Sequence, residues 1–145
     1  MGRCVGCSIL KKKFIDYFCK IAEHTAALSY AKRLKVGTVI VRDNRILSIG
    51  YNGTPSGWDN ECEQFNGSET KPEVIHAEAN ALMKLTIATE SSLNATMFCT
   101  HAPCIDCAKL IYQAGVKNVF YINDYRSDQG LKFLEKAGVE ICQVK

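Results

Sequence analysis

The sequence predicts a three-layer α/β/α sandwich around a five-stranded mixed sheet. Three observations predict it. Short apolar runs alternate with helix-patterned segments through the second half, which implies right-handed crossovers between parallel strands. Two β-rich runs near the front are separated by "RDN", whose Asp43-Asn44 pair signals a hairpin and hence antiparallel pairing. The 145 residues suit one domain with a sizeable core. No internal repeat or linker divides the chain, so residues 1–145 are read as a single domain.

The elements follow in order. Residues 8–33 are expected to form a long helix, with Ser8 as its cap and Phe14, Phe18, Ile21, Ala22 and Leu28 recurring at helical spacing. The "KKK" at 11–13 reads as its solvated first turn. "VGTVIV" (36–41) and "RILSIG" (45–50) are the hairpin strands, and 51–73, rich in glycine, proline and polar residues, is a loop. A helix over 73–85 precedes a strand at 95–100. "CIDCAKLIYQAG" (104–115) is a helix closed by Gly115. A strand at 118–122, a helix at 128–138 closed by Gly138, and a strand at 139–144 complete the chain.

Composition narrows the function. Hydrophobic content of 47% and charged content of 23% are ordinary for a globular protein. The net charge of +3 is too small to argue for a nucleic-acid partner, although Arg33 and Lys35 can still make a locally basic pocket. No apolar run is long enough to span a membrane. "MGRCVGCSILKKKF" lacks the apolar core of a secretory leader, and the myristoylation pattern begun by Gly2 fails at its last position. The eight cysteines are therefore read as reduced thiols, some binding metal, in a cytoplasmic protein.

Cys104 and Cys107 form a Cys-x-x-Cys pair at a helix start, where amide donors and the helix dipole favour thiolates. Alone, the pair fits a redox dithiol or half of a zinc site equally well. Two further features favour zinc. Pro103 precedes the pair, and "VIHAEANA" (74–81) places His76 and Glu78 upstream, with Cys104 following His76 by 28 positions. His-x-Glu followed by Pro-Cys-x-x-Cys is the signature of zinc-dependent nucleobase deaminases. The gap holds one helix, one strand and short turns, so both helix N-termini reach the same end of the sheet. Three ligands, His76, Cys104 and Cys107, leave the fourth tetrahedral position open, as in catalytic zinc sites. There zinc brings the pKa of water down toward roughly 7. Glu78 is not needed as a ligand and is assigned as the proton shuttle. The amide N–H of Ala77 lies between these groups and is placed to orient a base carbonyl.

On these residues the chain resembles the cytidine deaminase superfamily and, more closely, the deoxycytidylate (dCMP) deaminases. "VGTVIV", "GYNGTPSG" (50–57), "HAEANA" (76–81), "PCIDCAKLI" (103–111), "AGVKNVFY" (114–121) and "AGVEI" (137–141) carry the resemblance over roughly 20–145. It implies zinc-dependent hydrolysis of dCMP to dUMP and ammonia, supplying dUMP for thymidylate synthesis. It also implies that Asn52 binds the deoxyribose. Tyr125, after the fourth strand, is placed to close over base or sugar, with a rim tyrosine as the alternative. Arg126 suits the 5′-phosphate, with a solvated arginine as the alternative. The family is commonly hexameric, activated by dCTP with Mg²⁺ and inhibited by dTTP. Asn52, Gly53, Thr54, Gly57 and Asp59, in the loop 52–60, resemble part of that effector site, where glycines let amides approach phosphates. Many relatives carry a second, structural zinc. Here Cys62, with Cys4, Cys7, Cys19 and His24, are the residues available for one, and that question stays open. Cys99 and Cys142 are expected in the core. Competing readings are a deaminase of free cytidine or deoxycytidine or of a nucleic-acid base, a thiol–disulfide protein, and a zinc-stabilised binding module.

Overall fold

The computed structural model describes residues 10–145. Ser8, Cys4 and Cys7 lie outside the described residues. Four helices and five strands follow in the expected order. Helix α1 runs over Lys12–Ala26 and is shorter than the pattern predicts. It ends because the chain turns: the Ser29 hydroxyl donates to the Asn52 carbonyl at 2.7 Å and accepts from the Ala31 amide at 3.1 Å. Leu28 therefore falls past the helix and is exposed, while Phe18 and Ala22 are buried as expected.

Strands β1 (Gly37–Arg42) and β2 (Arg45–Tyr51) form the hairpin, with Asp43 and Asn44 at φ 53° and 59°. Positive φ at both turn positions matches the strand twist, and Asp and Asn tolerate it. Strands β3 (Thr96–His101), β4 (Asn118–Asn123) and β5 (Glu140–Gln143) follow, giving the sheet order β2-β1-β3-β4-β5. The β1 strand pairs antiparallel with β2 and β3, and β3-β4-β5 are parallel. This is the expected five-stranded mixed sheet. The centres of its middle strands (39–41, 97–99 and 119–121) are apolar because both faces are covered.

On one face α1 meets Val39, Val41, Phe98 and Phe120 through Phe18, Cys19 and Ala22. The rings of Phe98 and Phe120 stack at 5.1 Å. On the other face Ile40, Met97, Cys99, Val119 and Tyr121 pack against α2 (Ala77–Thr86), α3 (Ile105–Gln113) and α4 (Gln129–Lys136). Cys99 is fully buried, and Cys142 packs at the edge of the first cluster; Cys142 is disulfide-bonded, which corrects the reading of all eight cysteines as reduced thiols. No helix among the described residues is long and apolar enough to cross a membrane.

The predicted helix over 73–85 begins four residues late. The backbone of Ile75 is held extended by a two-way bridge to Gly53, with N···O distances of 2.8 and 3.1 Å. Gly53 thus fixes where α2 can start. Gly50 lets α2 sit close to β2, since a Cβ there would overlap the carbonyl oxygen of Ala77.

Candidate active site

His76 and Cys104 are both N-cap residues, of α2 and α3 respectively, with extended backbones (ψ 154° and 171°). A cap projects its side chain beyond the helix end, so two caps at neighbouring N-termini can face one point. The His76 Nδ1 lies 3.4 Å from the Cys104 Sγ and 3.4 Å from the Cys107 Sγ. All three donor atoms fall within 4.8 Å of one another. A tetrahedral ion about 2.1 Å from nitrogen and 2.3 Å from sulfur would separate such atoms by roughly 3.6 Å. The spacing therefore fits zinc, and so does one imidazole with two thiols. Among the described residues no other group of this kind occurs, and Cys19, Cys62 and His24 join none.

The three donors also share protons among themselves. Cys104 is held down to about 4, first by the hydrogen bond that the Cys107 thiol gives it, against its burial, with His76 and the Cys107 amide adding to the effect. The Cys107 amide donates to the Cys104 sulfur at 3.5 Å. Cys107 is pushed up in turn, since it gives its proton to Cys104 and is buried. His76 is raised, chiefly by its bond to Cys104. Glu78 is 4% exposed, and burial pushes its carboxyl up to about 7. A group that titrates near neutrality can both take and return a proton.

His76, Glu78 and Cys104 line a cavity of about 850 Å³ at the C-terminal ends of β3 and β4. In open α/β sheets ligands gather at such strand ends. Asn52, Ala77, Tyr125 and Arg126 all line it, with Arg33 on the wall and Lys35 absent from it. The Arg126 guanidinium stands 5.4 Å from the Tyr125 ring centroid. The Asn52 carboxamide already has backbone partners: its oxygen accepts from Val36 at 2.9 Å and its nitrogen donates to Leu34 at 2.8 Å. Asn52 thus shapes the wall, with a remaining lone pair and N–H for a ligand.

Gly53, Thr54, Gly57 and Asp59 do not line the cavity. Their loop is tied internally, the Thr54 hydroxyl donating to the Asp59 carbonyl at 2.6 Å. Sequence reasoning missed His101, Asn123, Asp124 and Glu69, which also line the cavity. The signal for His101 was its place at a strand end three residues before Cys104. It missed Glu63 too, whose carboxylate accepts from the Lys32 and Arg33 amides at 2.9 and 3.1 Å. No local pattern marks that pairing.

The zinc-binding region shared by cytidine and deoxycytidylate deaminases matches residues 10–123. The chain belongs to that family. The deoxycytidylate deaminase of Saccharomyces cerevisiae is 33% identical over 144 residues, which cover 93% of this chain and 46% of the yeast protein. That of Mycobacterium phage D29 is 35% identical over 119 residues, covering 73% of this chain and 91% of its own length. A solved dCMP deaminase of cyanophage S-TIM5, in complex with dCMP and dUMP, shares 45% identity and a TM-score of 0.90, covering 93% of this chain and 99% of that one. The chain thus spans about half the yeast relative and nearly all of the two phage relatives.

Proposed function

We propose that this deaminase-family protein hydrolyses dCMP to dUMP and ammonia. The observation that carries the reading is the buried carboxyl of Glu78 beside the His76, Cys104 and Cys107 donor set in one nucleotide-sized cavity. Zinc, which the His76 Nδ1 and the two sulfurs would hold, would supply a water acidified toward about neutral pKa. Glu78 takes a proton from the attacking water and passes it to the ring nitrogen beside the amino-bearing carbon. It then takes the second proton from the newly added hydroxyl and gives it to the amino group, so that the carbon–nitrogen bond breaks as the carbonyl forms and ammonia leaves. The Ala77 amide orients the base carbonyl. Arg33 and Arg126 supply positive charge at the cavity wall for the phosphate. The phage relative in complex with dCMP and dUMP supports the choice of substrate. A redox dithiol has no need of a third donor, and His76 lies within 3.4 Å of both sulfurs.

The test incubates the metal-loaded protein with dCMP, deoxycytidine and a single-stranded oligonucleotide while the cytosine absorbance is followed. The expected result is turnover of dCMP, lowered about 10²- to 10⁴-fold by Glu78→Gln with zinc retained. Brisk editing of the oligonucleotide with no loss of dCMP overturns the substrate. Full activity in Glu78→Gln overturns the proton shuttle. The same assay reaches regulation. The family resemblance supports a hexamer activated by dCTP with Mg²⁺ and inhibited by dTTP, with the loop 52–60 in the effector site. Gly57 in that loop is at φ 90° and has open space where a Cβ would sit. Rates indifferent to both nucleotides overturn that part.

A further inference from the structure

His101 ends β3 inside the cavity, three residues before Cys104, and no role has yet been given to it. Its ring is half-buried, and its Nδ1 lies 2.9 Å from the hydroxyl oxygen of Thr100. That hydroxyl is buried and accepts the Gly37 amide at 3.1 Å. Its own proton needs an acceptor, and among the described residues Nδ1 is the one within reach. The hydroxyl therefore donates to Nδ1, which must be unprotonated, and the ring proton sits on Nε2. Burial favours the neutral ring, holding His101 below the ordinary histidine value. No described side chain bonds Nε2, and no buried side-chain nitrogen or oxygen is left without a partner, so Nε2 is open to the cavity.

We propose that the chain Gly37 N–H, Thr100 O–H, His101 presents a fixed, uncharged Nε2–H donor to an acceptor oxygen of the bound nucleotide. His101 is then a substrate-binding residue outside the metal set and distinct from Glu78. Thr100 is its positioning residue. A neutral donor locked in one tautomer pays little reorganisation on binding and selects an oxygen over a cation or an apolar group at that point. The inference rests on the deaminase reading above.

The experiment measures KM and kcat for His101→Ala and His101→Gln on dCMP and on deoxycytidine, with zinc content and melting temperature recorded for each. In parallel, ¹⁵N spectra of the histidine rings of the wild-type, zinc-loaded protein are taken with and without dUMP. The expected result is a KM for dCMP raised roughly tenfold in His101→Ala, with kcat and zinc content nearly unchanged. Gln carries an amide N–H at the Nε2 position and should recover most of that loss. A loss seen with dCMP alone places the oxygen on the phosphate, and a loss with both substrates places it on the nucleoside. The wild-type spectrum should show a protonated Nε2 that shifts when dUMP binds. An unchanged KM for both substrates, or a proton found on Nδ1, overturns the proposal. Wild-type protein that turns over neither substrate fails the deaminase reading instead, and the dUMP-induced shift then still decides His101.

Discussion

A carboxylate that accepts two backbone amides is worth more to a protein than its small surface suggests. Glu63 is buried and bonds the amides of Lys32 and Arg33, which lie about 30 residues away in sequence. Burial by itself pushes its carboxyl up, but the two amide bonds and the charges of Lys32 and Arg33 outweigh this and hold it below the ordinary value. A lowered carboxylate pKa stabilises the fold above the unfolded value and loses that contribution as pH falls through the folded value. Glu63→Gln should therefore destabilise the protein by about 1–3 kcal/mol at pH 7. Its gap to the wild type should narrow below about pH 4.5 in melts recorded across pH. A pH-independent gap would assign the effect to packing. At this same scale the convergence of His76, Cys104 and Cys107 was legible from the sequence. Their chemistry depends on residue type and short spacing, and two helix starts suffice to bring the donors together. Glu63 was not legible, because its partners are amides, which every residue carries.

At the scale of elements, the metal-site helices are placed by contacts that only glycine permits. The first turn of α4 lies on the backbone of Pro103 and Cys104, where a Cβ on Gly130 would overlap the Pro103 carbonyl oxygen. Backbone does not yield as a flexible side chain does, so Gly130→Ala must displace α4 or the Cys104 cap. Overpacking of this kind costs about 1–3 kcal/mol. The expected outcome is a lower melting temperature together with faster loss of zinc to a chelator. Unchanged zinc retention would show that α4 alone moves. The element boundaries teach the same lesson. The helix-patterned run from 73 begins its helix only at Ala77, because Gly53 pairs with Ile75 and keeps it extended. Helical spacing through Leu28 likewise gives way at Ala26, where Ser29 finds the Asn52 carbonyl.

At the scale of the whole molecule, the site joins the starts of two helices that lie far apart in sequence. His76 belongs to the start of α2, and both sulfurs belong to the start of α3. An ion bonded to all three cross-links these ends in the folded state and has no comparable site in the unfolded chain. Ligand binding to the native state alone raises apparent stability by mass action. Chelation should lower the melting temperature by several degrees, and added zinc should restore it. Stripped protein would also leave Glu78 buried with no ion nearby. A melting temperature unmoved by chelator would show that these three residues hold no zinc.

The sequence by itself determined the order of elements, the mixed sheet and the three side chains that converge as candidate metal donors. Apolar periodicity, turn residues and the His-x-Glu and Pro-Cys-x-x-Cys spacings are local, and local patterns survive in a linear string. Only the tertiary structure decided where the helices start, which way the Asn52 carboxamide faces, and that Glu63 holds the strand-entry segment carrying Arg33. It also decided that the Gly37 amide and the Thr100 hydroxyl, 63 positions apart, set the proton on His101. Hydrogen bonds between distant segments depend on the direction of one donor toward one acceptor. That direction exists only once the sheet has brought the segments together.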